Sequence, residues 1–451
     1  CDWSSDVCSS DLPGGGPEPV PAPPTAGPGA PAGDPDGPPT EARQEILRLA
    51  NGMTAFVATA PGGSDALIQL GVFAGALFDT PGLAELAGEV LLRSSDPTRG
   101  RRSLAEEVAA MGGTAELRVG LLTTWIDLRV PSGKIVPGLT ALRRALEGPS
   151  RSRSQIERMR QELVARRAAR IADDPIGEMA RTLLLGERST ADALVALLDV
   201  DPSQVVAFHS RQYRPERCVL AVRAPYWVER LTSHVREPEA DAPAGWLPPP
   251  PAVPGGVELL PRRFESGLFW ADLPAPADAD EVAWVLRLPD PTTPDAPEWL
   301  LMHACLTLDG TGGRLEQLQD EAGLGHLRWR SRLEQTADGL ALVLSTTATA
   351  DEAVGLWRVL RRARSSLAEV PPSELRLAQR RARLGAGFAA LSDSDRLRLD
   401  ATLAMRGLPV DALERRIAAF GDPPTLDLAR AAEGYLAQPA WMVVVGPGRP
   451  E

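Results

Sequence analysis

Residues 82–91 read Gly-Leu-Ala-Glu-Leu-Ala-Gly-Glu-Val-Leu, and the rest of the chain is best understood outward from them. Leucine or valine recurs at 83, 86, 90 and 91, which is the i, i+3, i+7, i+8 spacing of a helix with one apolar face. Thr80 and Pro81 suit the N-cap and first position of that helix. Glu85 and Glu89 fall on the opposite face, which we expect to be solvated.

Strand-like and helical patterns alternate around this helix. Residues 67–73 and 117–130 have the composition of strands, and 135–146 predicts a helix. A capping box that begins at Ser103 predicts the start of another helix. Strands interleaved with helices in this way predict an α+β fold.

The second half of the chain repeats the order of the first. The segments 41–236 and 257–448 have similar lengths, and each ends with Asp-Pro, then a tyrosine, then a strand at 218–222 or 441–445. The dipeptide Asp338-Gly339 lies between two apolar runs and predicts a hairpin. We therefore expect two homologous α+β lobes, each a mainly antiparallel sheet with helices packed on one face.

Three stretches fall outside the predicted lobes. Residues 1–12 read CDWSSDVCSSDL and resemble a translated sequencing adapter, so we interpret them as an artefact. Residues 13–40 contain 11 prolines and 7 glycines and predict a disordered tether. Such tethers are common after bacterial export signals, so we expect an exported, periplasmic protein. Residues 237–256 include four consecutive prolines and predict an interdomain linker.

The composition excludes several classes of function. The net charge of −12 argues against nucleic acid as a partner. No apolar run approaches the ~18 residues of a transmembrane span, so we expect none. The two cysteines of the lobes, Cys218 and Cys305, lie far apart in sequence and predict small buried hydrophobes. Lys134 is the only lysine, so arginine carries nearly all the positive charge.

Taken together, these features resemble the pitrilysin/insulinase-like metallopeptidase family, M16. The likeness covers residues 45–447 and depends on the order and spacing of short marks. In the first half these are Asn51-Gly52, Phe73-Ala74-Gly75, Gly82-Leu83-Ala84, Arg99-Gly100, Leu104-Ala105-Glu106, Gly112-Gly113, Asp173-Asp174-Pro175 and Phe208 to Arg217. In the second half they are Gly310 to Leu315 and Ala322-Gly323-Leu324. The resemblance implies the LuxS/MPP-like metallohydrolase type of fold.

Active members of that family carry His-x-x-Glu-His directly after the Gly-Leu-Ala step. The two imidazoles hold zinc, and the glutamate activates the bound water. The matching positions here are Glu85, Gly88 and Glu89, and the position of the third ligand, a glutamate on a later helix, is Arg166. The resemblance therefore implies a degenerate motif with no catalytic residue, no metal and no other cofactor.

A weaker alternative keeps a cation at the motif. Glu85 and Glu89 share a helix face and could hold Ca²⁺ or Mg²⁺ through oxygen. Such a site needs several convergent ligands, and no other acidic cluster accompanies them in sequence, so we favour a solvated face. The arginines of 158–170 alternate with Glu157 and Glu162, which predicts a salt-bridged surface.

The second half of active members often supplies an arginine and a tyrosine in the pattern Arg-Glu-x-x-Gly-Leu-x-Tyr. Here those two positions are Gln319 and His326, so both anchors are absent. In the family, the preceding glycine-rich loop faces the other half of the molecule. We therefore expect contact with substrate or a partner at Gly310, Gly312, Gly313, Gln319 and His326.

The resemblance implies a pseudoenzyme. We expect a non-catalytic M16-like subunit that forms a heterodimer with a zinc-dependent M16 peptidase and helps to enclose its peptide substrates. Two alternatives stay open. One is a stand-alone peptide-binding or scaffold protein, and the other is an active metallopeptidase with an atypical metal site.

Overall fold

The computed structural model describes residues 43–80, 82–95, 100–120, 122–147, 152–184, 190–240, 267–271, 280–288, 301, 305–306, 314–336, 339–368, 370, 374, 376–378, 380, 392–405, 433 and 440–445. All of them belong to one compact unit, Pro38–Glu451. The predicted artefact 1–12, the predicted tether 13–40 and most of the predicted linker lie outside the described residues.

The first half of the chain builds a six-stranded sheet. Its strands are β1 (Gln44–Arg48), β2 (Thr54–Thr59), β3 (Asp65–Val72), β4 (Thr114–Val119), β5 (Thr124–Pro131) and β6 (Cys218–Ala224). Their spatial order is β1-β2-β6-β3-β5-β4. Only β2 and β6 pair in parallel, and the other pairs are antiparallel.

The second half builds a five-stranded sheet. Its strands are β7 (Gly267–Ala271), β8 (Asp280–Leu288), β9 (Arg330–Thr336), β10 (Gly339–Ala348) and β11 (Ala440–Val445), in the order β7-β11-β8-β10-β9. Its only parallel pair is β7 with β11. This order equals that of the first sheet without β1, which supports the predicted duplication. Strands β9 and β10 pair as an antiparallel hairpin, with Thr336 opposite Gly339, as the dipeptide signal predicts.

The structure gives the bounds of eleven α-helices. They are α1 (Leu83–Arg93), α2 (Leu104–Ala110), α3 (Ile135–Glu147), α4 (Arg153–Asp173), α5 (Pro175–Leu184), α6 (Thr190–Leu198), α7 (Pro202–Gln212), α8 (Val228–Ala240), α9 (Arg314–Glu321), α10 (Ala350–Ser365) and α11 (Asp393–Met405). The capping box at Ser103 is present, with reciprocal hydrogen bonds to Glu106. None of these helices is long and apolar enough to cross a membrane.

Each sheet has its main core on one face. Residues of β2, β3, β5 and β6 pack there against α1, α3, α4, α7 and α8. In the second half, β8, β10 and β11 pack against α9 and α10. This arrangement is the α+β fold that the sequence predicts.

A helix from the opposite half covers part of the other face of each sheet. Leu397, Ala401 and Ala404 of α11 pack against the first sheet, around Trp125. Ile176, Met179, Ala180 and Leu183 of α5 pack against the second sheet, around Trp441. The double coverage explains why the central strands β6 and β11 are almost continuously apolar rather than alternating.

Three local predictions differ from the structure. The strand-like segment 117–130 is two strands, β4 and β5, because Gly120 turns the chain between them. Helix α1 begins at Leu83 rather than at Pro81, since its N-cap is Gly82 with the left-handed φ of 81°. Helix α8 continues to Ala240, so the first residues of the predicted linker are helical.

Candidate functional site

The carboxylate of Glu89 faces helix α4 rather than solvent. Its Oε1 lies 2.7 Å from a terminal guanidinium nitrogen of Arg166, and its Oε2 lies 3.5 Å from Arg93. Glu89 is only 8% exposed. The expected solvated face is therefore wrong for this residue, because α4 crosses the polar side of α1. Arg166, at the position of the third zinc ligand, neutralises a carboxylate at the position of the second.

Glu85 is held on the same side of the helix. Its Oε1 lies 3.7 Å from a guanidinium nitrogen of Arg170, one turn further along α4 than Arg166. About a quarter of the Glu85 side chain is exposed, so this ion pair is looser than that of Glu89. Both carboxylates of the degenerate motif thus have arginine partners.

Gly88, at the position of the general base, is packed against Leu117 of β4. A Cβ atom built on Gly88 would lie 2.6 Å from Leu117 Cδ1 and 2.9 Å from Cδ2, closer than such atoms approach. The side chain of Leu117 therefore occupies the volume into which a residue at 88 would extend. A larger residue at 88 would require the Leu117 side chain to move, and glycine itself lacks the chemistry of a base.

Sequence reasoning missed the most buried charge cluster near the motif. The carboxylate of Glu178, on α5, accepts hydrogen bonds from Arg167 at 3.1 Å, Arg170 at 3.2 Å and Arg181 at 3.0 Å. Arg167 and Glu178 are each 2% exposed. The only signal in the sequence is a lone glutamate among the apolar residues of α5. The predicted salt-bridged surface holds for Arg158 and Arg160, which pair with Glu162 and Glu157, but not for Arg167.

These groups form the walls of a cavity of about 740 Å³ between α1, β4, α4 and α5. Its charged lining residues are seven arginines and four glutamates: Arg93, Arg118, Arg166, Arg167, Arg170, Arg181, Arg398, Glu85, Glu89, Glu116 and Glu178. The remaining lining is apolar and includes Ala84, Leu92, Leu117 and Leu163. We call this space the motif cavity.

Among the described residues, Arg398 is the one lining residue that comes from the second half of the chain. It donates to Asp127 of β5, whose carboxylate oxygen also lies 3.4 Å from Arg118 Nε. Burial raises the pKa of Asp127 to about 6, although both arginines oppose the shift. Helix α11 therefore closes one end of the motif cavity.

Of the five positions predicted to contact substrate or a partner, Gln319 and His326 lie among the described residues. Gly310, Gly312 and Gly313 lie outside the described residues. Gln319 is buried, and its side-chain oxygen accepts a hydrogen bond of 2.9 Å from Trp329 Nε1, which is a packing role. His326 is 60% exposed and lies 2.9 Å from a carboxylate oxygen of Glu352. Its contact with a ligand stays a prediction.

Neither lobe cysteine offers a nucleophile. Cys218 and Cys305 are free and buried, as expected. Burial raises the pKa of the Cys218 thiol and raises that of Cys305 to about 12. Both thiols therefore stay protonated near neutral pH.

Zinc, which the resemblance implies for active members, does not fit these residues. The carboxylates of Glu85 and Glu89 are already paired with arginines, and a guanidinium stands in place of the third ligand. A leucine side chain occupies the volume of the base. These features are incompatible with a bound dication. Across the described ranges, no group of three or more His, Cys, Asp or Glu side chains could hold a metal ion. The cation alternative for Glu85 and Glu89 has no support in this geometry.

Of the comparisons with known proteins, only the one with solved structures finds similar proteins. No protein-family profile and no curated protein matches the sequence. The peptidase M16 inactive domain from Pseudomonas fluorescens superposes with a TM-score of 0.68 at 16% identity, over 91% of this chain and 99% of that one. A protease from Helicobacter pylori gives 0.69 at 14% identity, over 90% and 100%. An M16-like peptidase from Alicyclobacillus acidocaldarius gives 0.65 at 13% identity, over 90% and 99%.

The chain has an M16-like peptidase fold. Since both halves are included in these superpositions, the M16-like fold covers the two sheets and the helices exchanged between them. Helix α1, which carries the positions of the predicted degenerate motif, contributes lining residues to the motif cavity.

Proposed function

We propose that this chain is a non-catalytic M16-like subunit that pairs with a zinc-dependent M16-like peptidase. One observation carries the proposal: the place of the general base is filled by Leu117 against Gly88. The ion pair between Glu89 and Arg166 supports it, because it uses up the carboxylate that could replace a ligand. The chain thus keeps the M16-like fold but lacks the ligands and the general base of a zinc site.

Pairing has a physical rationale. Enclosing a peptide requires protein surface on all sides, whereas zinc chemistry requires only one metal centre. One subunit can therefore contribute only to the enclosing surface, while the other subunit carries the metal centre. The likeness to a structure described as an inactive M16 domain supports this division. We further propose that the protein is exported, on the basis of the Pro/Gly-rich composition of 13–40.

An edge strand beside the motif cavity offers a place for peptide. β4 is the last strand of the first sheet, and no strand in the described ranges pairs with its outer edge. Thr114, Glu116 and Arg118 are exposed along it. An extended peptide could add to such an edge through main-chain hydrogen bonds. We propose that this chain contributes that edge to the shared enclosure.

Coexpression tests the pairing. This chain would be produced together with an M16-like subunit from the same genome that carries an intact His-x-x-Glu-His motif. We expect the two to copurify and the peptide-cleavage rate of the catalytic subunit to rise with this chain present. A matched pair of variants compares G312R, at a predicted partner contact, with G133R, which has open space around it. Only G312R should weaken copurification. No effect of this chain on the rate or stability of its partner would argue for a stand-alone peptide-binding protein.

The isolated chain tests the remaining alternative. An active peptidase with an atypical metal site requires bound metal and turnover. Metal analysis of the purified chain and a peptide-cleavage assay, both without the partner, should give less than stoichiometric zinc and no hydrolysis. Stoichiometric zinc together with turnover would overturn the proposal.

A further inference from the structure

We propose that Asp127 is a proton-operated latch for helix α11. When Oδ1 of Asp127 takes up a proton, it donates a hydrogen bond to Gln69 Oε1, and the docking of α11 on the first sheet tightens. The proposal concerns contact between the two halves of this chain and does not depend on pairing with another subunit. Its starting point is two buried oxygen atoms, Gln69 Oε1 and Asp127 Oδ1, that have no hydrogen-bond donor among the described residues.

These two atoms belong to neighbouring side chains on one face of the first sheet. Gln69 on β3 and Asp127 on β5 are directly opposite each other in the antiparallel ladder. Side chains paired in this way share a face, with Cβ atoms about 4.5–5.5 Å apart. Gln69 is 1% exposed and Asp127 is 9% exposed. A buried acceptor without a donor is unfavourable, so each of the two oxygens requires one.

The contact of Gln69 with α11 fixes the orientation of its amide. Nε2 of Gln69 donates to the main-chain oxygen of Ser394 at 3.1 Å and to Ser394 Oγ at 2.8 Å. The reverse orientation would direct Oε1 at a carbonyl oxygen, which cannot donate a hydrogen bond. Oε1 of Gln69 therefore stays an acceptor that needs a donor other than Ser394.

The contacts of Asp127 leave one of its oxygens for a proton. Arg398 of α11 donates to Oδ2, and Arg118 Nε of β4 lies 3.4 Å from the same oxygen. An ionised carboxylate only accepts hydrogen bonds, whereas a protonated carboxyl group also donates one. A proton on Oδ1 therefore supplies the donor that Gln69 Oε1 lacks, and both arginines can keep their contacts with Oδ2.

The charged groups around Asp127 act in both directions. Arg398 and Arg118 favour its ionised form, and Glu116 of β4 and Asp395 of α11 favour its protonated form. Burial is the largest effect and raises the pKa of Asp127 to about 6, from the ordinary value of 3.8. A proton is therefore bound more tightly where α11 covers Asp127 than where water reaches it. Docking of α11 is favoured at acidic pH and weakens as the pH rises through about 6.

Helix α11 is tied to both side chains of this pair. Ser394 accepts from Gln69, and Arg398, one turn later, donates to Asp127 and to Ser394 Oγ at 3.2 Å. Arg398 also lines the motif cavity. Loosening of α11 above about pH 6 would therefore open the end of the motif cavity that this helix closes.

Hydrogen exchange of the full chain, followed by mass spectrometry at pH 5 and pH 7.5, tests the latch. The quantity compared is the exchange rate of α11 in the wild type divided by that in D127N at the same pH, which cancels the intrinsic pH dependence of exchange. D127N has an amide that does not titrate and can donate to Gln69 Oε1 at both pH values. The ratio should rise about ten-fold from pH 5 to pH 7.5.

Two controls accompany this measurement. The same ratio for α10 should not change with pH, and neither should the α11 ratio of the wild type to D199N, since Asp199 is exposed. An α11 ratio to D127N that is constant with pH, as an ordered water between the two side chains would give, overturns the proposal.

Infrared spectroscopy tests the role of Gln69. The difference between wild type and D127N at pH 5 should contain the carbonyl band of a protonated carboxyl group, and this band should be absent at pH 7.5. In Q69L the band should move to higher frequency and disappear at lower pH, because the protonated carboxyl group loses its acceptor. An unchanged band in folded Q69L would contradict the proposed hydrogen bond.

The wild type alone decides the matter if the variants fold poorly. The protection of α11 relative to α10, each corrected for its intrinsic exchange rate, should fall about ten-fold from pH 5 to pH 7.5. Equal changes in the two helices would overturn the latch. The pairing proposal is unaffected by either result, since no partner is present.

Discussion

Arg398 on α11 donates a hydrogen bond to Asp127 on β5, and the two residues are 271 positions apart in sequence. Both side chains are buried. The same guanidinium also donates to Asp395, one turn earlier in its own helix. This ion pair fixes a helix of the second half across the first sheet, next to the apolar contacts around Trp125.

Removing Arg398 should strongly destabilise the protein. R398M leaves the Asp127 carboxylate buried with Arg118 as its remaining cationic partner, and breaking a buried ion pair on one side costs about 3 kcal/mol. The free energy of unfolding from urea titration near neutral pH measures the loss. R358M, on the exposed side of α10, is the control and should change the free energy of unfolding by less than about 0.5 kcal/mol. Equal losses in the two variants would contradict a structural role for the pair.

The pH dependence of stability should report Asp127. Burial raises its pKa in the folded protein to about 6, from the ordinary value of 3.8. The folded state therefore binds this proton more tightly than the unfolded state does, and the resulting stabilisation is fully present below about pH 4. It is lost as the pH rises through about 6, and it amounts to about 2–3 kcal/mol.

The variant D127N isolates this contribution, because an amide does not titrate. As the pH rises from about 4 to 6, we expect the unfolding free energy of the wild type to fall relative to that of D127N. Thermal or urea unfolding at a series of pH values measures it. A difference that is constant with pH would show that Asp127 has an ordinary pKa.

The fold could be predicted from the sequence because its signals are local. The capping box at Ser103, the hairpin at Asp338-Gly339 and the apolar spacing of α1 each involve residues close together in the chain. The repeat of strand order in the two halves follows from the same signals. The exchange of α5 and α11 between the halves could not be predicted, because it depends on which sheet face is left uncovered.

The motif cavity could be predicted only in part. The positions Glu85, Gly88, Glu89 and Arg166 come from the family resemblance, and the structure places Glu85, Glu89 and Arg166 in the lining of the cavity. Their partners do not follow from spacing. The contact of Gly88 with Leu117 depends on how β4 lies against α1, and the cluster around Glu178 depends on the angle between α4 and α5.

Gly71 should be intolerant of a larger side chain. It lies opposite Trp125 in the β3–β5 ladder, and a Cβ atom at 71 would meet three indole atoms at 2.7–2.8 Å. Trp125 is fully buried beneath α11 and cannot move aside easily. We expect G71A to lower the free energy of unfolding by about 2 kcal/mol. G133A, which meets no atom within 4 Å, is the matched control and should have little effect.

Restoring the three motif residues alone should not restore a zinc site. In the triple variant E85H/G88E/E89H, the new glutamate would compete with Leu117 for volume, since even a Cβ atom at 88 lies 2.6 Å from Leu117 Cδ1. Arg166 would place a positive charge where the third ligand is needed. We expect zinc affinity, measured by calorimetric titration, to be weak and no peptide cleavage to appear.

Adding L117A and R166E to the same variant removes both obstacles, so zinc should bind at least about ten-fold more tightly than in the triple variant. The comparison is internal, because both proteins carry identical imidazoles at 85 and 89. If the triple variant already binds one zinc ion tightly, Leu117 and Arg166 do not block the site, and the loss of zinc chemistry would depend on residues 85, 88 and 89 alone. If the five-fold variant remains folded by circular dichroism and gains no affinity, the obstacle lies elsewhere, and the arginines of α4 next to Arg166 are the remaining charges on that wall.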